Sequence, residues 1–248
     1  TGRAEGAILT DRGGKGSPKG VLVYSPMEVI SLGGSRYTAS ASLSALNGLL
    51  KDGEPQRVVV VGLPCQMRAV SLMERRSEIR SGQVFKIGLF CTWAMEYREM
   101  TKLLEKEGVL ETPIRFDIPP PPQNIFLVEG QSGRWEIPLD KMRVAIQKGC
   151  AFCPDMTGSY ADISVGAAEG IKGHNTVCVR DTRGFELLEE LTQKGILKVE
   201  ALPEANLSHL KTAVKNKRER ATTKLKERVS HGDIWERIGQ FKGALARQ

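Results

Sequence analysis

Two short apolar runs, each leading to a cysteine, constrain the fold of this chain more than any other feature. Residues 57–62 contain four successive valines, and residues 85–90 form a second run that ends directly at Cys91. Runs that leave no polar face are typical of strands buried on both sides of a parallel sheet. A segment with helical spacing follows each run. The pattern predicts an α/β protein with a mixed sheet core and flanking helices.

The other predicted elements agree with this fold class. They are helices at 40–51, 96–107 and 185–193, strands at 6–10, 21–24, 125–128, 135–137, 163–166 and 176–179, and a helical region from residue 205 onward. Four successive prolines at 119–122 cannot lie inside a helix or a central strand, so they predict a rigid loop over a site. We therefore expect a small β-rich insertion and a helical C-terminus. The glycine-rich turn at residues 13–16 lacks the ending of a phosphate-binding loop.

The net charge of +7 is concentrated near the C-terminus. Residues 211–228 hold eight Lys or Arg and two Glu, a local charge of +6. This run has no interleaved aromatic residues, so we do not expect nucleic acid as a partner, and we expect a solvated helix face that is available to a protein partner. The organisation predicted is a main domain at 1–200 and a basic helical region at 201–248.

The sequence shows neither a membrane span nor an export signal. Its longest apolar stretches are far shorter than the roughly 20 residues that a transmembrane helix needs. The N-terminus has no apolar signal core, and the absence of an initiator Met suggests a processed, trimmed or partial chain. We expect a cytoplasmic location.

Five cysteines in such a chain indicate metal or redox chemistry rather than a disulfide framework. Cys65 and Cys91 follow the two buried strands, and Cys150 and Cys153 form a Cys-x-x-Cys pair. Loops at the carboxyl ends of neighbouring parallel strands meet at one edge of a sheet. Four thiolates there fit tetrahedral zinc or a [4Fe–4S] cluster, while a thiol redox pair and unliganded buried cysteines stay open. Cys178 lies inside a predicted strand and is expected to be structural.

Several motifs in a fixed order narrow these alternatives. They are Gly-Ser-Arg-Tyr at 34–37, Gly-Leu-Pro-Cys-Gln at 62–66, Gly-Leu-Phe-Cys at 88–91, Gly-Cys-Ala-Phe-Cys-Pro-Asp at 149–155, Ala-Asp-Ile-Ser-Val-Gly at 161–166 and Thr-Val-x-Val-Arg at 176–180. With them the chain resembles the coenzyme F420 hydrogenase/dehydrogenase beta-subunit family, over residues 5–215. Members usually begin with a Gly-Gly-x-x-Thr helix segment that this chain lacks, so part of the flavin pocket is expected to be missing from the sequence given.

The resemblance implies an oxidoreductase. The four matching cysteines would hold a [4Fe–4S] cluster, beside an FAD that exchanges a hydride with coenzyme F420 as the substrate. Residues 1–200 would then form the domain that binds FAD and the cluster. Other oxidoreductase subunits, such as those of a hydrogenase or a formate dehydrogenase, would be the partners. The alternatives are a reductase of the same fold that uses ferredoxin and another acceptor, and a scaffold or binding protein stabilised by zinc.

Candidate flavin contacts follow from the same motifs. Small residues before a helix suit a diphosphate, whose charge Arg36 would neutralise. Asp162 and Ser164 have a second interpretation, in which they only cap and tie a turn. None of His174, His209 and His231 is expected to be a ligand, and only His174 is expected in a pocket loop. No catalytic acid or base is identified. The predicted cofactor contacts are Gly34, Ser35, Arg36, Tyr37, Gln66, Thr157, Asp162 and Ser164.

Overall fold

The computed structural model describes residues 3–11, 13, 16–52, 57–120 and 122–230. Gly14, Lys15 and Pro121, which belong to the predicted glycine-rich turn and proline loop, lie outside the described residues, as do His231 and the end of the predicted basic region. The described strands are β1 (Gly6–Thr10), β2 (Gly20–Val23), β3 (Val58–Gly62), β4 (Val84–Leu89), β5 (Arg115–Asp117), β6 (Ile125–Glu129), β7 (Arg134–Pro138), β8 (Ile163–Ala167) and β9 (Asn175–Val179).

A mixed sheet forms the centre of the described chain, with the strand order β2-β1-β3-β4-β8-β9. The inner strands β1, β3, β4 and β8 are parallel, whereas β2 and β9 pair antiparallel at the two edges. Parallel neighbours require crossover segments, and the helices between these strands supply them. The predicted mixed sheet core is therefore confirmed, including the hairpin between β1 and β2.

Helices connect and flank these strands. They are α1 (Pro26–Ser31), α2 (Leu43–Lys51), α3 (Pro64–Arg75), α4 (Tyr97–Lys106), α5 (Leu139–Arg143), α6 (Thr182–Gln193) and α7 (Glu204–Ser230). Val58 and Val60 of β3 are buried against α2 and α3 together with Leu46 of α2. The intervening valines of β3 are only partly buried. The predicted buried parallel strand is therefore confirmed, and its deeper burial is on the face that carries Val58 and Val60.

A second sheet, β5-β6-β7, is antiparallel and has its own core. Phe126 of β6, Ile137 of β7 and Met142 of α5 are fully buried there, and Met100 and Leu104 of α4 pack beside them. This is the predicted β-rich insertion, although no sequence pattern indicated the short strand β5. The core explains why α4 carries its apolar residues at four-residue spacing.

Of the two helices nearest the ends of the described chain, α7 was predicted from the sequence and α1 was not. The short helix α1 was not predicted, although Ser25 and Glu28 form a complete capping box around it and Pro26 is its first residue. The long helix α7 confirms the predicted helical C-terminus. Within the described residues, no helix has the length and apolar character needed to span a bilayer.

Candidate functional site

The parallel strands end at the wall of a cavity of about 890 Å³. Ligands of open α/β sheets bind outside the carboxyl ends of parallel strands, and this volume lies in the upper part of the range for small-molecule and cofactor sites. Each of the four parallel strands contributes to the wall. The strand residues concerned are Leu9 and Thr10 of β1, Val61 and Gly62 of β3, Leu89 of β4, and Gly166 and Ala167 of β8.

The loop at residues 33–38 forms a second wall, and its backbone is unusual. Gly34 has φ 110°, and Tyr37 has φ 55°, a left-handed conformation that is uncommon and costly for a bulky residue. The backbone N–H of Met95 donates to the Tyr37 carbonyl at 2.7 Å, and the N–H of Ala39 donates to the Met95 carbonyl at 2.9 Å. The loop is therefore held in a strained shape against the segment that follows Cys91.

Arg36 fixes the loop from the other side. Its guanidinium donates to the carbonyl oxygens of Asp11 (3.0 Å), Gly34 (2.9 Å) and Leu32 (2.7 Å). These bonds hold a positive group at the cavity wall in one orientation. The Tyr37 hydroxyl accepts from the Ile118 N–H at 3.2 Å, and its ring packs edge-on against Phe126. Burial, followed by the nearby Asp117 carboxylate, raises the pKa of Tyr37.

Gln66 joins the helix α3 to the cavity wall. Its amide oxygen accepts from the Leu63 N–H at 2.8 Å, and its amide nitrogen donates to the Ser40 carbonyl at 3.1 Å. The structure thus brings together five of the predicted cofactor contacts, which line this one cavity along with Cys91: Gly34, Ser35, Arg36, Tyr37 and Gln66.

Four of the five cysteines are within electrostatic reach of one another. Cys65 is the second residue of α3, Cys91 follows β4, Cys150 lies in a short 3-10 helix (Lys148–Phe152), and Cys153 follows that helix. All are free thiols. Burial is the main reason that the pKa of Cys91 is raised to about 12. The charge of Lys217 lowers this pKa, whereas the other three thiols raise it further. Burial and then the Cys153 thiol raise the pKa of Cys65, which still reaches solvent.

Both tetrahedral zinc and a [4Fe–4S] cluster use four thiolates, the donor set that this four-thiol group offers. No three His, Cys, Asp or Glu side chains among the described residues are close enough to share one ion. A single tetrahedral zinc would draw each sulfur to about 2.3 Å from itself. In a cube, each thiolate binds a different iron, so the sulfurs stay farther apart. The Ala94 N–H also donates to the Cys150 sulfur at 3.4 Å, a contact that stabilises thiolate ligands of clusters.

The fifth cysteine lies apart from the four-thiol group. Cys178 is in the edge strand β9, where burial raises its pKa and Arg180 opposes the shift. It lines a separate cavity of about 680 Å³ together with Thr157 and Arg180. Thr157 accepts there, through its hydroxyl, a 2.7 Å hydrogen bond from Arg180.

Asp162 and Ser164 also lie away from the large cavity. The Asp162 carboxylate is buried, accepts from the Lys86 N–H at 2.7 Å, and is 2.7 Å from a guanidinium nitrogen of Arg183. Burial raises the pKa of Asp162, while the Lys86 hydrogen bond and the two cations oppose the shift. Ser164 donates to the Gly158 carbonyl at 3.2 Å. Thr157, Asp162 and Ser164 therefore make internal contacts and do not line the cavity beside Cys91.

The helix α7 forms a wall that the sequence did not predict. Its residues Asn206, His209, Leu210 and Ala213 line the large cavity. His209 lies 2.9 Å from the Glu169 carboxylate, whereas His174 is exposed beside its own loop. The expectation that only His174 would lie in a pocket loop is wrong. The three- and four-residue spacing of the α7 residues was the available signal.

Lys217 of α7 reaches the four-thiol group itself. It is 3% exposed, and its ammonium donates to the carbonyls of Cys91 (2.5 Å) and Asp155 (2.8 Å). Further along α7, Arg220 donates to the Thr92 carbonyl, and the Arg228 guanidinium lies over the Phe152 ring. The prediction of a purely solvated basic face is therefore wrong for these residues, because α7 packs on both cysteine loops.

A cofactor-sized cavity and four thiols thus lie at one edge of a mixed α/β sheet. The chain belongs to the family described as the C terminus of the coenzyme F420 hydrogenase/dehydrogenase beta subunit, and the sequence model of that family matches residues 55–205. This confirms the resemblance drawn from the motifs. It also makes the chain an oxidoreductase component at the level of the family.

Individual relatives agree with the family assignment. The chain is 28% identical over 240 residues to the coenzyme F420-dependent sulfite reductase of Methanocaldococcus jannaschii, covering 88% of this chain but only 37% of that protein. It is 25% identical to the coenzyme F420 hydrogenase subunit beta of Methanosarcina barkeri, over 93% of this chain and 82% of the relative.

A solved structure matches as well. A chain of the F420-reducing [NiFe] hydrogenase complex from Methanosarcina barkeri superposes with a TM-score of 0.81 at 26% identity. The match covers 92% of this chain and 80% of that one. The fold described above is therefore that of a known hydrogenase component.

Proposed function

We propose that this chain transfers electrons between coenzyme F420 and a partner oxidoreductase. The observation that carries the proposal is the four-thiol group beside the large cavity at the edge of the sheet. Cys65, Cys91, Cys150 and Cys153 would hold a [4Fe–4S] cluster, and the cavity would hold FAD. When bound, the flavin exchanges a hydride and the cluster carries single electrons, which links two-electron to one-electron chemistry.

The cavity wall supports the assignment of the flavin. Gly34 lets the backbone approach a ligand, and Arg36 presents a fixed positive group at the same wall, which suits a diphosphate. Gln66 connects this wall to the helix that carries Cys65. Thr157, Asp162 and Ser164, by contrast, would not touch the flavin and would stabilise the surrounding loops through their hydrogen bonds. The chain's own residues thus bind and orient the ligand, and no acid–base pair is required of them.

Replacing Arg36 by alanine should weaken the retention of FAD. A charge-assisted hydrogen bond is worth about 1.5–3 kcal/mol, so the dissociation constant should rise roughly ten- to hundredfold. Flavin that remains bound after gel filtration measures the effect, with Arg68→Ala on the exposed face of α3 as the control. Equal flavin content in the Arg36 and Arg68 variants would locate the diphosphate elsewhere.

The substrate is tested by supplying alternative hydride donors. The purified chain, reconstituted with FAD and iron under anaerobic conditions, should oxidise reduced F420 and pass electrons to a dye acceptor. NADH and NADPH should serve at least about tenfold less well. Reduction by ferredoxin without any response to F420 would instead favour the alternative reductase of the same fold.

The partner is proposed to be an acidic surface of another oxidoreductase subunit. We assign residues 1–200 to the cofactor-binding domain and 201–248 to the basic helical region. The smaller cavity beside α7 is lined by five cations and one carboxylate, that of Glu219. Complementary charge raises association rates more than final affinity. The five cations are Arg180, Lys211, Lys215, Arg218 and Lys226.

Neutralising Lys211, Lys215, Arg218 and Lys226 together to glutamine should slow complex assembly at low salt by about tenfold or more. Iron and flavin contents should stay unchanged, because these side chains line the smaller cavity and not the one beside Cys91. Stopped-flow mixing with the partner complex at several salt concentrations measures the rate. Tight binding of labelled DNA at about 200 mM salt would contradict the protein partner and favour nucleic acid.

A further inference from the structure

Lys217 is a buried cation that has no carboxylate partner among the described residues. Its ammonium donates to the carbonyls of Cys91 and Asp155, at 2.5 and 2.8 Å. Across the described ranges, no salt bridge includes Lys217. A buried ammonium that is not paired with an anion costs several kcal/mol, and two carbonyl dipoles recover only part of that cost. Such a residue requires another source of negative charge close by.

The four-thiol group, once its thiols are deprotonated to bind a metal, would supply that charge. One acceptor of Lys217 is the backbone of Cys91, and the other lies two residues after Cys153. The ammonium also acts electrostatically on the Cys91 thiol. Thiolates that hold a cluster leave a net negative charge on the whole assembly. Lys217 thus lies where a countercharge would be most effective.

Lys215 and Lys224 of α7 have the surroundings that are usual for surface lysines. The Lys215 side chain is 72% exposed and faces Glu219 at 3.8 Å, and Lys224 pairs with Glu227 at 2.8 Å. Since the buried Ala221 follows Lys217 by four residues, both lie on the face of α7 that packs on the protein. Burial without a carboxylate partner therefore distinguishes Lys217 from its exposed neighbours.

We propose that Lys217 is the countercharge of the four-thiolate group, a positioning residue through which α7 would set the reduction potential of a [4Fe–4S] cluster held by those thiolates. The inference rests on the proposed function of Cys65, Cys91, Cys150 and Cys153. A fixed positive charge beside a redox centre stabilises its more negative, reduced state. Because α7 also lines the large cavity, the same helix would connect cofactor binding with the electron-transfer site.

The test compares three substitutions at Lys217 in the reconstituted full chain. Lys217→Met removes the charge and the donors, Lys217→Gln keeps a donor, and Lys217→Arg keeps the charge. Lys224→Met, on the exposed side of the same helix and outside both cavities, is the matched control. Iron and sulfide contents, the midpoint potential from an anaerobic redox titration, and thermal unfolding are measured for each protein.

The Met and Gln variants should reduce about tenfold less readily, a potential about 59 mV more negative for one electron. The Arg variant and the Lys224 control should stay near the wild type. Loss of iron from both neutral variants, with iron retained by Arg, supports the same conclusion. A Gln variant with the wild-type potential, or an Arg variant as impaired as Met, overturns the inference. A wild-type chain that binds no iron contradicts the proposed function first and the inference with it.

Discussion

Replacing any one of Cys65, Cys91, Cys150 and Cys153 by alanine is expected to abolish stoichiometric iron and acid-labile sulfide in the reconstituted protein. Each thiolate would bind a different corner of the cluster, so the three that remain cannot substitute for the one that is lost. The metal also links the helix α3, the loop after β4 and the 3-10 helix. Losing that link should lower the midpoint of thermal unfolding as well.

Cys178→Ala provides the matched control. Cys178 lies in the edge strand β9 and lines a different cavity, so its loss should leave iron, sulfide and flavin contents unchanged. Iron lost from the Cys178 variant, beside full iron in a variant of any of the other four cysteines, would disprove the ligand assignment. Zinc bound at one equivalent in place of iron would favour the scaffold alternative.

Asp162→Ala should cause a large loss of stability without touching the four-thiol group. The carboxylate is buried between Lys86 and Arg183, and its removal leaves the Lys86 N–H without its acceptor. Breaking a buried ion pair from one side typically costs about 3–5 kcal/mol. Because Lys86 keeps its 2.6 Å contact with the Glu74 carboxylate, its ammonium stays paired, and we expect a loss near the lower value of about 3 kcal/mol. At about 2–4 °C per kcal/mol for a chain of this size, unfolding should shift by roughly 6–12 °C.

Two comparisons make this result specific to the buried network. Glu136→Ala breaks an exposed ion pair with Arg134 and should change the free energy of unfolding by less than about 1 kcal/mol. The folded Asp162 variant should retain its flavin at low temperature, since Asp162 does not line the large cavity. Flavin lost from a variant with near-native stability would restore Asp162 as a direct cofactor contact.

The strands and cysteine positions could be predicted because their signals are local. Apolar runs of strand length marked β3 and β4, and a cysteine at the end of each placed Cys65 and Cys91 at the same edge of the sheet. The capping box around Ser25 is an equally local signal for α1. Short strands such as β5 have too few residues to show the alternation of apolar and polar side chains that marks a strand. They therefore cannot be predicted until the partner strand is known.

The contacts of α7 could not be predicted because they depend on long-range packing. Lys217 donates to a carbonyl 126 positions earlier, and only docking of the helix makes that contact. Charge patterning alone favoured a solvated face for the whole segment. Asp162 and Ser164 illustrate a related limit. They follow the cysteine pair closely in sequence, yet sheet pairing and the docking of α6 give Asp162 the partners Lys86 and Arg183, which no local pattern indicates.

The measurement that tests the central claim most directly is anaerobic addition of reduced F420 to the reconstituted chain while its visible spectrum is recorded. From the proposed function we expect a coloured protein that contains iron, sulfide and flavin. Its visible absorption should bleach with reduced F420 and return when a partner or a dye acceptor is added. A colourless protein that binds zinc, or a coloured one that reduced F420 leaves unchanged, would contradict it.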